Sequence, residues 1–213
     1  MSQTPKTLGV ILAGGRARRL GGQDKAFLEL NGRPVVAHVL QRFMHQCDGM
    51  VISANGDPAR FDILKLPVLA DSLPDFPGPL AGILTALDWA ATHQPTIEWV
   101  ASVTVDTPFI PHDLVFRLHE ARQNQNAQLA MAHSGERNHP VNAIWPVCLR
   151  APLRKAMQEE GLRKVEAWIR RHNVAIATWP TDPLDPFFNI NTKEELELAG
   201  DLAGSDDLSQ NLR

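Results

Sequence analysis

The segment LGVILA (Leu8 to Ala13) runs directly into LAGGRARRLGGQDK (Leu12 to Lys25), which holds four glycines, three arginines and a lysine. A short apolar run stopped by glycines reads as a buried strand, and the glycine- and arginine-rich segment after it reads as a loop with unusual backbone freedom and positive charge. Further apolar, β-branched runs at Met50 to Ala54, Val68 to Ala70, Val100 to Val105 and Leu129 to Ala132 read as strands. Between them, Pro34 to Gln46, Leu80 to His93 and His112 to Asn124 carry apolar residues at helical spacing, with Pro34 suited to a first helical turn. Strands alternating with helices imply a mainly parallel sheet covered on both faces, a three-layer α/β/α sandwich.

At 213 residues and 44% hydrophobic content, the chain suits one globular domain. Residues 1–200 are assigned to it and 201–213, polar and without periodicity, to a flexible tail. The stretch from about Pro140 to Pro186 is less regular: strand-like VNAIWPV, a helical pair around Leu153 to His172, and strand-like VAIATW. A net charge of −3, with no long basic run, gives no footprint for nucleic acid or an anionic membrane as partner. Cys47 and Cys148 have no metal-site or disulfide-framework spacing, and no run approaches the roughly 18 apolar residues of a spanning helix. The expectation is a soluble cytoplasmic protein.

In open parallel sheets, ligands bind beyond the carboxyl ends of the strands, where LAGGRARRLGGQDK lies. Gly14 and Gly15 let backbone N–H groups approach an anion, and Arg18, Arg19 and Lys25 can neutralise phosphate oxygens. No Gly-Lys-Ser/Thr is present and the glycines fall as GG-x5-GG, so the loop is neither a Walker A loop nor GxGxxG. A flexible solvated turn is the competing reading.

Asp106 comes directly after the apolar strand VASVTV, so its carboxylate projects into the same crevice, where a hard oxygen ligand suits Mg²⁺ completed by phosphates and water. Opening the turn before Pro108 is its other possible role. Asp71, after VLA, is a turn opener or a ligand contact. In FNINT, Asn189 and Asn191 would share one face of an extended strand, while Thr192 and Glu195 match a helix capping box. The eight histidines form no metal or triad signature and the five tryptophans read as packing residues.

LAGGRARRLGGQDK followed by LELNGRPVVAHV resembles the signature of the molybdenum cofactor guanylyltransferases, the MobA family. The resemblance continues through ADSLPDFPGPLAG, VDTPFI, GERNHPV and FNINTKEEL. It implies a Rossmann-like nucleotidyltransferase sheet and transfer of GMP from GTP to the terminal phosphate of molybdopterin bearing molybdenum, with Mg²⁺ as cofactor and pyrophosphate released. It also implies a GTP-binding N-terminal half and a molybdopterin-binding C-terminal half, with transient contacts to cofactor-synthesis or acceptor proteins.

By resemblance, Arg19, Lys25 and Asp106 are catalytic, and Asp106 is the metal ligand. Leu12, Ala13, Gly14, Gly15, Lys25, Ser53, Asp71 and Asp106 bind GTP; Gly22, Gly78, Arg163, Asn189 and Asn191 face molybdopterin. Where relatives often carry Asn-Ala-Asn, this chain has Ser53-Ala54-Asn55, and a hydroxyl lacks the paired donor and acceptor edge of an amide. Asn55 is read as structural. The alternatives are a cytidylyltransferase on the same cofactor, whose members tend to read LAAG, a sugar-phosphate enzyme, which usually has proline where Asp24 stands, or a non-catalytic nucleotide-binding module.

Overall fold

In a computed structural model, residues 4–14, 24–73 and 78–204 are described. Strand β1 (Thr7–Leu12) is buried along its whole length. After the Lys25–Phe27 3₁₀ turn, β2 (Glu29–Leu30) and β3 (Arg33–Pro34) form a minimal hairpin. Its turn residues Asn31 and Gly32 both have positive φ, 49° and 74°, as a two-residue Asn-Gly turn requires. Then come α1 (Val35–Phe43), β4 (Gly49–Ser53), a 3₁₀ segment Pro58–Leu64, β5 (Val68–Leu69), α2 (Pro79–His93), β6 (Trp99–Thr104), α3 (Leu114–Asn124) and β7 (Leu129–Ser134). The chain finishes through β8 (Arg137–Pro146), α4 (Arg150–Glu160), α5 (Val165–Ile169), β9 (Val174–Trp179) and α6 (Lys193–Gly204).

The seven-stranded sheet has the order β5-β4-β1-β6-β8-β7-β9. Only β8 runs against its neighbours, pairing antiparallel with β6 and β7. Its run VNAIWPV is legible as a strand, but its direction is set by the tight turn at Gly135, φ 55°, which returns the chain beside β7.

Alternate residues of β1 go to opposite faces. Leu8, Val10 and Leu12 join α2, α4 and α5 in one core, whereas Ile11 and Ala13 join α1 and α3 in the other. Helices cover both faces, so the inner strands read as unbroken apolar runs. A third cluster packs Ile190 and Ala199 against Leu28, Leu30, Val35 and Phe109, drawing the C-terminal segment onto the hairpin beside Lys25. The flexible tail assigned to residues 201–213 overlaps this segment, because α6 continues through Gly204; the later residues lie outside those described.

Buried His119 on α3 gives the fold an expected acid sensitivity. The single hydroxyl proton of Thr7 goes to the carbonyl of Pro5 at 2.7 Å, so His119 Nε2–H donates to Thr7 Oγ1 at 2.9 Å. Nδ1 is then the bare nitrogen, buried without a partner. Burial, then the Arg122 charge, push the imidazole pKa down to about 4. Between pH 6.5 and 4 the unfolded chain takes up a proton that the native state refuses, so stability falls as pH falls across that window. The limit of the loss is about 3 kcal/mol. In denaturant titrations His119→Gln should flatten this part of the stability profile; an unchanged slope would assign it to other groups.

Candidate active site

The sheet order reverses at β1: the chain leaves it toward β4 and β5, then returns to its other side as β6. A crevice opens beyond the carboxyl ends of strands at such a switch point. Here it is a cleft of about 860 Å³ whose walls include Leu12 to Gly14, Lys25, Ser53 to Gly56, Asp71, Gly78 and Thr104 to Asp106. Hydrogen bonds beyond the regular ladders fix its floor. Ala13 N–H donates to the Ser53 carbonyl at 2.9 Å, and Val105 N–H to the Leu12 carbonyl at 3.1 Å. A Cβ on Gly14 would meet nothing within 4 Å, so its backbone faces open space.

One end of the cleft is charged. Asp24 caps the Lys25–Phe27 turn by accepting from Ala26 N–H at 3.1 Å. Lys25 Nζ then donates to Asp106 Oδ2 at 2.9 Å and to Asn191 Oδ1 at 2.6 Å. The Asp106 carbonyl accepts from Ile190 N–H at 2.9 Å, tying the C-terminal segment to the end of β6. Asn191 is set by the expected capping box: Glu195 Oε2 accepts from Asn191 and Thr192 N–H, while Thr192 Oγ1 accepts from Glu195 N–H. Asn189 and Asn191 lie in an irregular segment instead of a strand, because Ile190 between them inserts into the third cluster and α6 starts at Lys193.

At the opposite end, Asn55 and Asp71 pair reciprocally: Asn55 Nδ2 donates to Asp71 Oδ2 at 2.7 Å, and Asp71 N–H donates to Asn55 Oδ1 at 3.0 Å. Burial pushes the Asp71 carboxyl above the usual aspartate range, and the Asn55 bond partly offsets this. Asn55 therefore holds Asp71 in a fixed attitude. Ser53 is buried against α2: a Cβ on Gly82 would lie 2.5 Å from Ser53 Oγ and 2.8 Å from Leu12 Cδ2. Gly78 precedes α2 with φ 127°, which favours glycine, and places the helix N-terminus on the cleft wall.

The cleft thus gathers Leu12, Ala13, Gly14, Lys25, Ser53, Asp71, Gly78 and Asp106, with Asn191 reaching it through Lys25. Gly78, expected on the molybdopterin side, lines the same cleft as the residues expected to bind GTP. Arg163 does not line it; it is exposed between α4 and α5. Gly15, Arg19 and Gly22 lie outside the described residues. Sequence reasoning missed Arg60 and Gly82 on the cleft wall, and the tie from Asn55 to Asp71.

Among the described residues no three His, Cys, Asp or Glu side chains gather into a metal site. Asp106 alone still fits Mg²⁺, which typically takes one or two carboxylates and completes its shell with phosphate and water. Only Oδ2 of Asp106 is engaged by a side chain among the described residues.

A doubly wound sheet with a phosphate-suited cleft at its switch point defines a nucleotidyltransferase-type α/β protein. The chain belongs to the MobA-like NTP transferase family, whose domain matches residues 9–175, and within it to the molybdenum cofactor guanylyltransferases. It is 52% identical to the molybdenum cofactor guanylyltransferase of Nitrobacter hamburgensis over 204 residues, 96% of this chain and 98% of that one. It is 49% identical to the enzyme of the same name from Rhodopseudomonas palustris (strain BisB5), covering 95% and 97% of the two chains. The crystal structure of molybdopterin-guanine dinucleotide biosynthesis protein A from Archaeoglobus fulgidus shares the fold with a TM-score of 0.70 at 22% identity, over 92% of this chain and 98% of that one.

Proposed function

We propose that this protein transfers GMP from GTP to the terminal phosphate of molybdenum-loaded molybdopterin, forming molybdopterin guanine dinucleotide and releasing pyrophosphate. The observation that carries the reading is the Lys25–Asp106–Asn191 junction at the switch point, beside the open backbone of Gly14. The guanylyltransferase name of its relatives supplies the base and acceptor, and does not favour the cytidylyl or sugar-phosphate alternatives.

The attacking group explains why no catalytic His, Cys or Ser is needed. A phosphate monoester loses its second proton at about pH 6, so its oxygen is mostly ionised at neutral pH. That oxygen forms the new bond to the α-phosphorus of GTP while the bond to the β-phosphate oxygen breaks and its electron pair leaves with pyrophosphate. The protein's tasks are in-line positioning and stabilisation of developing charge.

In this reading, Leu12 to Gly15 present backbone N–H groups to the nucleotide and Asp71, oriented by Asn55, accepts from the guanine edge. Arg19 and Lys25 meet the negative charge that grows on pyrophosphate. Ser53 contributes chiefly through its carbonyl bond to Ala13, which fixes the first strand's end. Asp106 would hold Mg²⁺, which when bound cancels charge on the phosphates. Gly22, Gly78, Arg163, Asn189 and Asn191 are assigned to the acceptor, so that the N-terminal half serves GTP and the C-terminal half molybdopterin.

The protein would work in the cytoplasm, where both unpaired cysteines suit a reducing medium, and meet cofactor-synthesis or acceptor proteins transiently. No helix among the described residues is long and apolar enough to cross a membrane.

The test is pyrophosphate release by purified protein with Mg²⁺ and molybdenum-loaded molybdopterin, supplied in turn with GTP, CTP, ATP and UTP. Release with GTP alone is expected. Selective release with CTP would overturn the base assignment, and GTP binding without release would favour a nucleotide-binding module.

A further inference from the structure

Arg60 has no part in the transfer chemistry proposed for the cleft, yet it is placed between the cleft's two ends. It sits in the Pro58–Leu64 3₁₀ segment, which Asp57 caps and Pro58 begins, and its side chain lines the cleft wall. Its guanidinium makes one ion pair and one hydrogen bond. Nε lies 3.1 Å from Asp24 Oδ2, a charge contact without hydrogen-bond alignment, and Nη2 donates to the Asn55 carbonyl at 2.9 Å.

Each partner belongs to a different end of the site. Asp24 Oδ1 caps the turn that begins with Lys25, so whatever fixes Asp24 fixes the start of the lysine's backbone. Asn55 is bound on both sides to Asp71. The path therefore runs from Asp71 through Asn55, Arg60 and Asp24 to Lys25, and from Lys25 to Asp106 and Asn191. A second link is apolar: buried Phe61, beside Arg60, packs on Phe27 of the same turn with ring centroids 5.1 Å apart. That contact would keep the turn folded without Arg60, but a ring pair sets no hydrogen-bond geometry.

The chemistry of arginine suits this place. A planar guanidinium offers several N–H donors in a fixed fork and can bind a carboxylate and a carbonyl at once, whereas a lysine ammonium is a point charge on a flexible stem. Arg60 is also the counter-charge of a carboxylate in a cleft meant for polyanions. Without it, Asp24 would stand beside Lys25 and repel triphosphate.

We infer that Arg60 is a positioning and specificity-determining residue: through Asp24 it places Lys25 against the triphosphate, and through Asn55 it places Asp71 against the guanine edge. The inference rests on the guanylyltransferase reading. It predicts that the two functions separate in variants that cut one branch at a time.

Arg60→Met cuts both branches and should lower kcat at least ~10-fold and the GTP-over-CTP preference in kcat/KM about 10-fold. Asp24→Asn cuts only the ion pair and should lower kcat while keeping base preference. Arg60→Lys keeps a cation for Asp24 but has no fork for the Asn55 carbonyl, so it should restore most of kcat and leave base preference impaired. The measurements are pyrophosphate-release kinetics with each nucleotide and calorimetric affinities for GTP and CTP without acceptor, on proteins whose folding is checked by circular dichroism.

Lowered thermal stability in Arg60→Met, with wild-type kcat and base preference, would overturn the inference by reducing Arg60 to a packing residue. Equal loss of kcat and base preference in Arg60→Lys and Asp24→Asn would overturn the two-branch assignment. A wild-type protein with no GTP selectivity would remove the guanylyltransferase reading itself, and this inference with it. That outcome is distinct from a GTP-selective wild type matched by Arg60→Met.

Discussion

Asp106→Ala is expected to bring Mg²⁺-dependent pyrophosphate release to background while the protein stays folded. The two halves of that expectation rest on different atoms. The fold uses the Asp106 backbone, whose carbonyl accepts from Ile190 N–H and which survives substitution. The proposed metal role rests on the carboxylate, which borders the cleft with one oxygen on Lys25. Since that side chain is about one-fifth exposed and borders the open cleft, removing it empties no core and should move the melting temperature little. Asp106→Asn sharpens the test, because its amide oxygen can still accept from Lys25 but carries no charge. If the charge is what matters, the amide variant should be nearly as inactive as alanine at every Mg²⁺ concentration. Activity close to wild type in either variant would remove Asp106 as the metal ligand.

The sequence carries the sheet's inner strands plainly, because a strand covered by helices on both faces must be apolar throughout, as LGVILA and VASVTV are. The carboxyl ends of those strands then mark where a cleft opens, which is why Gly14 and Asp106 are placed there from sequence, whereas Asp71 reads equally as a turn opener and owes its expected nucleotide role to the family resemblance. Strand direction is less so: VNAIWPV looks the same whether β8 runs with its neighbours or against them, and only the turn at Gly135 decides. Arg60 is hidden for a related reason. Its segment, DPARF, is a 3₁₀ turn with no periodic pattern, and its ion-pair partner lies far along the chain, so no local rule connects them. Asn55 reads as structural from the sequence; its tie to Asp71 depends on β4 and β5 lying side by side, a long-range fact absent from either segment alone.

Lys25→Ala should slow turnover at least ~100-fold, with the larger share of the loss in kcat. Two of the three ammonium donors are engaged by side chains, at 2.9 Å from Asp106 and 2.6 Å from Asn191. Drawing the ammonium toward a ground-state phosphate weakens these two hydrogen bonds as it forms new ones, so the net gain on substrate binding is small. The exchange becomes favourable as charge gathers on the departing pyrophosphate, which is a contribution to the transition state and hence to kcat. Losing one such donor costs about 3 kcal/mol, or roughly 100-fold or more in rate. Alanine also leaves Asp106 without its counter-charge, so Lys25→Ala and Asp106→Ala should be strongly non-additive, the double variant being scarcely worse than the less active single one. Lys25→Arg should rescue poorly, since a guanidinium is too broad for a point contact to both Asp106 Oδ2 and Asn191 Oδ1. A variant with unchanged kcat and only a raised KM for GTP would show that the lysine acts in ground-state binding and that another cation stabilises the leaving group.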